Sequence, residues 1–323
     1  MPARAVTALS LASCLLAVAA AAAGCGSSSS AGTDPPALTK AQAAQVLASF
    51  TAGANRAGQR LDRVALQGIE ADPQLSMDTA VLRLRKAVRQ RPPALKLNQI
   101  AYYIPRMHGY PRWFAADAAT GSGKQTVRHA LLFTQAKAGG PWLLAADPYL
   151  LDPALSRVAL DPEGFATPVD PTSKGLALVP GDLPGMHARL LTDGPRASGA
   201  SVLAEGPRTH QTFEALRRGE QALSKRGIAL SSRFSPAPYK VYALWTKDRG
   251  ALVWYVLQQN EAYSARSRGR LAVNGDLVGL APARSVKNRM DTTVLVQYLA
   301  TIPSQGRVTV SGMYRKAVAV RSS

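Results

Sequence analysis

Regular patterning begins near residue 40, where apolar residues recur at the spacing of one helical face. They are Ala43, Val46, Leu47, Phe50 and Ala54. Thr39 and Gln42 precede this face as a Thr-x-x-Gln capping box, which predicts where the helix begins. A second helix is predicted over residues 76–90, and it ends before a Pro-Pro pair. The patterned region therefore opens with two amphipathic helices.

Strand patterns follow these helices. Runs rich in aromatic and aliphatic residues, separated by glycine and proline turns, predict two hairpins. Their strands cover residues 99–105, 111–117, 126–136 and 142–146. The first half of the chain is thus predicted to contain two helices followed by four antiparallel strands.

The second half repeats this order, with helices predicted over 182–191 and 209–226. Its strands are predicted over residues 239–246, 251–259, 294–302 and 307–320. Helices and hairpins share an offset of about 140 residues between the halves, which favours an internal duplication. Aromatic strands also look alike by propensity alone, so this alternative stays open. The two halves join in residues 161–174, which are rich in proline and small residues.

Four aromatic residues at matching places in the two halves are candidates for a ligand-stacking wall. They are Tyr102, Trp113, Tyr242 and Trp254. The alternative is that they pack in the core and across strands, as aromatic residues of paired strands commonly do. Periodicity alone leaves both interpretations open.

An uncharged run precedes the patterned region and ends in small residues immediately before Cys25. This segment resembles a bacterial lipoprotein signal, in which the cysteine is acylated, for example with palmitate, and becomes the new N-terminus. The resemblance predicts a signal peptide over residues 1–24 and a protein held on the extracytoplasmic face of the cell membrane. The alternative is an ordinary secretory signal cleaved at an Ala-x-Ala site. Residues 25–37, rich in Gly, Ser and Pro, are predicted to be a flexible tether.

The chain is strongly basic, with 39 Lys and Arg against 20 Asp and Glu. Such a charge attracts anionic lipid head groups and anionic wall polymers, and the predicted location argues against nucleic acid. Arg85, Lys86 and Arg89 lie nearly on one helical face and are candidates for this contact. The alternatives are a solvated helix surface and the compositional drift of a high-GC genome.

The sequence offers few groups for metal or cofactor chemistry. Cys14, the only cysteine besides Cys25, lies in the predicted signal peptide. The four histidines stand in no metal-binding frame, so neither a metal site nor a cofactor is predicted. Residues 121–126 lack the spacing of a phosphate-binding loop and are predicted to be a hairpin turn.

His129 is the strongest candidate for catalysis. Strand alternation places it on the same face as Leu131 and Phe133, and Asp117 ends the neighbouring strand. If that face lines a pocket, His129 and Asp117 would form an acid–base pair. The alternative is a core histidine bonded to a backbone carbonyl or a water.

The order of elements resembles the NTF2-like superfamily. More narrowly, the chain resembles lipoproteins of high-GC Gram-positive (actinobacterial) bacteria that carry an uncharacterised domain over residues 38–323. The matching segments are Arg112-Trp113-Phe114, Gly140-Pro141-Trp142-Leu143-Leu144, residues 236–244 and residues 250–255. The resemblance implies an α+β fold of two tandem cystatin-like cones, residues 38–165 and 175–323. Each cone would pack N-terminal helices on a curved antiparallel sheet, and no activity is implied.

Three functions fit these observations. The leading hypothesis is a non-enzymatic, lipid-anchored envelope protein that binds a partner protein or a small apolar ligand. The second is a small-molecule hydrolase or isomerase that uses His129 and Asp117, and the third is a structural stalk or assembly factor. An enzyme needs a cavity where that pair converges, a binding protein needs an open cavity or apolar patch, and a stalk needs collapsed pockets.

Overall fold

The computed structural model describes residues 34–265 and 270–322, in which five α-helices and twelve strands form. The helices are α1 (Lys40–Arg60), α2 (Arg63–Leu66), α3 (Gln74–Ala87), α4 (Leu183–Asp193) and α5 (His210–Lys225). The strands are β1 (Asn98–Tyr103), β2 (Arg112–Thr120), β3 (Val127–Gln135), β4 (Leu143–Ala146), β5 (Tyr149–Leu150), β6 (Ile228–Pro236), β7 (Tyr242–Trp245), β8 (Ala251–Ala265), β9 (Arg270–Ala272), β10 (Ser285–Lys287), β11 (Arg289–Ile302) and β12 (Thr309–Ser322). The predicted signal peptide, Cys25 and the tether up to residue 33 lie outside the described residues.

The capping box predicted for α1 is confirmed. The side chain of Thr39 accepts a hydrogen bond from the Gln42 backbone N–H at 3.1 Å, and the Gln42 side chain accepts one from the Thr39 N–H at 2.8 Å. The predicted apolar face buries Ala43, Leu47 and Phe50 against the sheet. Helices α3, α4 and α5 also form within a few residues of their predicted bounds.

The last residues of the predicted tether belong to the folded body. Ala37 is buried, and its N–H donates to the Pro105 carbonyl at 2.9 Å. The Met107 N–H donates to the Pro35 carbonyl at the same distance. None of the described helices is long and apolar enough to span a bilayer.

Ten of the strands form one antiparallel sheet in the order β1-β2-β3-β5-β12-β11-β8-β6, with β4 added to β3 and β7 added to β8. Strands β9 and β10 form a separate pair. The two halves of the chain meet where Leu150 of β5 pairs with Gly312 of β12. A Cβ at Gly312 would lie 2.9 Å from both Leu150 Cδ2 and Leu299 Cβ, so a glycine permits this close pairing.

The predicted fold class, two tandem NTF2-like cones, is wrong. A single ten-stranded sheet runs through both halves, and it is accompanied by few helices. The error has a physical reason, because apolar spacing shows which face of a strand is buried but not which strand edges meet. The domain boundaries given for the two halves stay a prediction.

Strand β2 is buried on both faces. On one face, Phe114 belongs to the same apolar cluster as Phe50 of α1. On the other face, Trp113 packs against Trp254 of β8, with 6.4 Å between the ring centroids. The sheet therefore folds back on itself, so that parts of its two halves pack face to face.

The two hairpins that suggested a duplication differ in register. Tyr242 of β7 lies directly opposite Trp254 of β8. Tyr102 of β1 instead lies opposite Ala116, three residues beyond Trp113. The internal duplication stays a prediction, since matching aromatic residues are not paired in the same way.

Candidate functional site

A cavity of about 250 Å³ lies between α1, α3 and the strands β3 to β5. Most of its wall is apolar and is formed by Phe50, Ala54, Leu66, Val81, Leu82, Leu95, Leu97, Leu131 and Leu144. One end is polar and is formed by Glu70, Gln74, Asp78, His129, Asp147 and Tyr149. An apolar cavity with a few convergent polar groups is the usual form of a small-molecule site, and this volume suits a ligand smaller than a drug.

The mouth of the cavity is built by the segment that follows α3. Asn55 of α1 holds this segment, since its side chain donates to the Leu95 carbonyl at 3.0 Å and accepts from the Leu95 N–H at 2.7 Å. A Cβ on Gly58 would lie 2.8 Å from Pro92 Cγ, so glycine allows the segment to cross α1 closely. Gln59 is exposed at this end, where the cavity meets solvent.

A buried imidazole–carboxylate pair stands at the polar end. His129 Nδ1 lies 2.9 Å and 3.0 Å from the two carboxylate oxygens of Asp147, and its Nε2 lies 2.9 Å from Thr120 Oγ1. Burial lowers the pKa of His129, but the charge and hydrogen bond of Asp147, with the charge of Asp117, raise it above its ordinary value overall. The raised pKa favours the protonated form of His129, in which Nδ1–H donates a hydrogen bond to Asp147.

Glu70 is the second unusual group at this end, with only 2% of its surface exposed. It lies between α2 and α3, where the Ala71 N–H donates to the Leu144 carbonyl at 2.9 Å. Burial raises the pKa of Glu70 to about 10, assisted by the charge and hydrogen bonding of Asp78 and by the charge of Asp147. Glu70 is therefore protonated at neutral pH. Its Oε2 is buried and has no hydrogen-bond partner among the described residues.

A chain of amide side chains connects these acids across both halves of the molecule. Gln74 donates to Asp78 Oδ2 at 2.9 Å and accepts from the Gln297 side chain at 2.9 Å. Gln297 in turn accepts from the Asp147 N–H at 2.7 Å. Burial raises the pKa of Asp78, while hydrogen bonds from Gln74, Glu70 and Tyr314 oppose that rise. The polar end thus depends on β11 and β12 of the second half as well as on the first half.

The structure does not bring Asp117 to His129. Residue Ala118 lies opposite His129 in the β2–β3 register, so Asp117 points to the other face of the sheet. There it forms an ion pair with Arg128 at 2.5 Å. The carboxylate that contacts His129 is Asp147, a residue not predicted to take part in the site. The missed signal was its place directly after the strand predicted over residues 142–146.

Three of the four aromatic candidates come together between the halves. Trp113 lies 5.3 Å from Tyr242 and 6.4 Å from Trp254 between ring centroids. Trp254 Nε1 donates to the Ala130 carbonyl at 3.1 Å, and both indoles are buried. Tyr102 packs in a separate cluster on the α1 side. These contacts are core packing, and a ligand role for the four aromatic residues stays a prediction.

The basic candidates lie at the C-terminal end of α3. Arg85 is half-buried and donates to the Gln90 side chain at 3.3 Å, whereas Lys86 and Arg89 are exposed. Their contact with an anionic surface stays a prediction. Within residues 34–265 and 270–322, no group of three or more His, Cys, Asp or Glu side chains is arranged to hold a metal ion.

Comparison with known proteins places the chain in a family. Residues 34–322 match the family model of the domain of unknown function DUF8094, and the chain belongs to this family. It is 30% identical over 250 residues to an uncharacterized lipoprotein of Streptomyces avermitilis. The aligned residues cover 74% of this chain and 71% of that protein. It is 27% identical over 289 residues to an uncharacterized lipoprotein of Streptomyces coelicolor, with 86% and 84% covered. No solved structure matches the chain.

Proposed function

We propose that the chain is an extracytoplasmic lipoprotein, acylated at Cys25, that binds a small and largely apolar ligand in the cavity between α1, α3 and the sheet. The anchor is supported by the small residues before Cys25 and by relatives that are named as lipoproteins. The ligand site is supported by one observation above the others. An apolar cavity of about 250 Å³ reaches solvent at one end and ends at buried polar groups.

The anchor is tested by mass spectrometry of the mature protein from its native membrane. The expected N-terminal residue is Cys25 carrying acyl chains. A Cys25→Ser variant should lose these chains and leave the membrane fraction. A mature protein that begins at another, unacylated residue would contradict the anchor and leave the cavity proposal untouched.

Ligand binding is tested by filling the cavity. Ala54 lines the cavity from α1, so Ala54→Phe places a ring in the space that a ligand would take. Ala44→Phe is the matched control, because Ala44 is exposed on the same helix. Native mass spectrometry should detect a small molecule that co-purifies with the wild type and the control but not with Ala54→Phe. Equal retention in all three proteins would exclude this cavity as the site.

An acid–base enzyme is the second candidate, and the His129–Asp147 pair favours it. An imidazole held by a carboxylate in a cavity is a common arrangement for proton transfer. Protonated Glu70 would be a general acid beside it. The test incubates the same small-molecule extract with the wild type and with His129→Gln, and compares the composition of the two extracts afterwards. Substrate loss and product gain only with the wild type would support catalysis, whereas identical extracts would favour a binding role.

A further inference from the structure

We infer that the polar end of this cavity binds the cationic amino group of a small amphiphilic amine, with Glu70 Oε2 as one acceptor. The inference rests on the proposed ligand site and names its chemistry. Acidic side chains outnumber basic ones among the residues that line the cavity. Three carboxyl groups, on Glu70, Asp78 and Asp147, line the cavity, and among the described lining residues His129 is the only base.

The single base is already engaged. His129 contacts Asp147 at 2.9 Å, and that contact offsets one of the three acids. Asp78 accepts hydrogen bonds from the Gln74 side chain at 2.9 Å, from the Tyr314 hydroxyl at 3.4 Å and from protonated Glu70, all of which are neutral donors. Glu70 receives no donor at Oε2, although the group is enclosed. An unsatisfied buried acceptor is costly, so this atom is where a donor from a ligand would stabilise the protein most.

The other titratable groups at this end of the cavity come from several different elements. They are Asp78 of α3, His129 of β3, Asp147 after β4, Tyr149 of β5 and Tyr314 of β12. Only His129 among them carries positive charge, and it is bonded to Asp147. The site lacks a free positive charge and hydrogen-bond donors. An ammonium group supplies the charge and up to three donors. When it enters, Glu70 can release its proton to solvent, so a cation replaces a proton with no change in net charge.

The remainder of the ligand is defined by the apolar wall. The α1 positions from Phe50 to Gln59 correspond to about 13 Å of helix at 1.5 Å per residue. Leu82 and Leu95 line the same space. A short alkyl or single-ring body fits such a space, with its amino group at Glu70. An anionic head group is disfavoured because it would meet Asp78 and Asp147.

Calorimetric titration of the full chain in detergent tests the inference, with empty micelles as the blank. The probes are hexylamine, hexanol and hexanoate, which share one apolar chain and differ in the head group. Hexylamine should bind about tenfold or more tightly than hexanol, since a charge-assisted hydrogen bond contributes more than a neutral one. Hexanoate should bind weakest.

The Glu70→Gln variant should lose about tenfold in hexylamine affinity and keep its hexanol affinity. Glu205→Gln is the matched control at an exposed glutamate and should change neither. Titrations in two buffers of different ionisation enthalpy add a readout that needs no variant. Hexylamine binding to the wild type should release about one proton at neutral pH.

The possible outcomes distinguish failure of the amine inference from failure of the proposed ligand site. Equal affinity for hexylamine and hexanol, or hexylamine binding without proton release, would overturn the amine inference and leave the ligand site standing. Tightest binding of hexanoate would overturn it in the same way. Failure of all three probes to bind would count against the proposed ligand site itself.

Discussion

Trp113 of β2 and Trp254 of β8 pack edge to face, with 6.4 Å between their ring centroids, although 140 residues separate them in sequence. Their contact fastens the first half of the chain to the second. Trp254 also donates its Nε1–H to the Ala130 carbonyl of β3 at 3.1 Å. The stability of the whole body should therefore depend on this pair.

Replacing Trp254 with alanine should lower the free energy of unfolding by about 3–5 kcal/mol, because a buried indole is lost and a cavity remains. Trp254→Phe keeps most of the apolar packing but leaves the Ala130 carbonyl without that donor. It should cost less, about 1–3 kcal/mol. Chemical denaturation measures both changes. A cost below 1 kcal/mol for the alanine variant would mean that the halves are held together elsewhere.

Glu70→Gln should stabilise the protein at neutral pH. The folded chain holds the Glu70 proton up to a pKa of about 10, while the unfolded chain releases it near 4.5. Between these values the folded state binds more protons, so the free energy of unfolding falls as pH rises. At pH 7 this amounts to about 3 kcal/mol, and glutamine removes the ionisation that causes it.

The measurement is denaturation at about pH 5, 7 and 9. The wild type should lose stability across this range more steeply than Glu70→Gln, with Glu205→Gln behaving as the wild type. A Glu70→Gln protein whose stability falls with pH as steeply as that of the wild type would show that Glu70 is not the group that binds this proton. Stabilisation on removing a buried acid is the pattern expected when a residue is kept for function at a cost in stability.

His187 should make the protein sensitive to acid. It is fully buried, lies 2.8 Å from the Tyr255 hydroxyl, and its Nε2 donates to the Arg208 carbonyl at 2.9 Å. Burial lowers the pKa of His187 from 6.5 to about 4, and the bond to Arg208 only partly opposes this. The unfolded chain therefore binds the proton first as pH falls.

Stability due to His187 should accordingly be lost between pH 6.5 and pH 4, by about 3 kcal/mol in total. His129 acts in the opposite direction, because its raised pKa adds stability that is complete below 6.5 and is lost as pH rises. His187→Gln should flatten the acid limb of the stability curve, whereas the exposed control His108→Gln should not. An unchanged acid limb in His187→Gln would assign the acid sensitivity to another group.

Gly312 should be intolerant of any side chain. A Cβ there would lie 2.9 Å from both Leu150 Cδ2 and Leu299 Cβ, at the β5–β12 pairing through which the sheet passes from one half to the other. Gly312→Ala should lower the free energy of unfolding by about 1–3 kcal/mol through overpacking. Gly219→Ala in α5 is the control with open space around it, and it should raise stability by about 0.5–1 kcal/mol. The same sign for both variants would contradict the proposed role of the β5–β12 junction.

The sequence predicted the helices well because local rules define them. The Thr39–Gln42 capping box and the apolar face through Phe50 both form as expected. The sheet was less predictable, since strand partners 140 or more residues apart leave no local trace. The sequence does contain one indication that a strand is buried on both faces. The run from Ala251 to Leu257 is apolar without alternation, which is typical of a strand buried on both faces.

The candidate site was predicted only in part. His129 does line a cavity, but its partner depended on a hairpin register that the sequence does not specify, and a shift of one residue moves Asp117 to the other face. No sequence motif marked Glu70, because its raised pKa comes from burial and from the neighbouring Asp78. Strand β6 was missed because its residues mix serines with apolar residues and end in proline.

The burial of β2 on both faces makes the core of the first half depend on the second. A fragment that stopped in the proline-rich join would present the indole of Trp113 to water, and the complementary fragment would do the same with Trp254. The polar end of the cavity would also lose Gln297, the amide that links Gln74 to Asp147. Either half alone would therefore lose part of its apolar core together with part of the cavity.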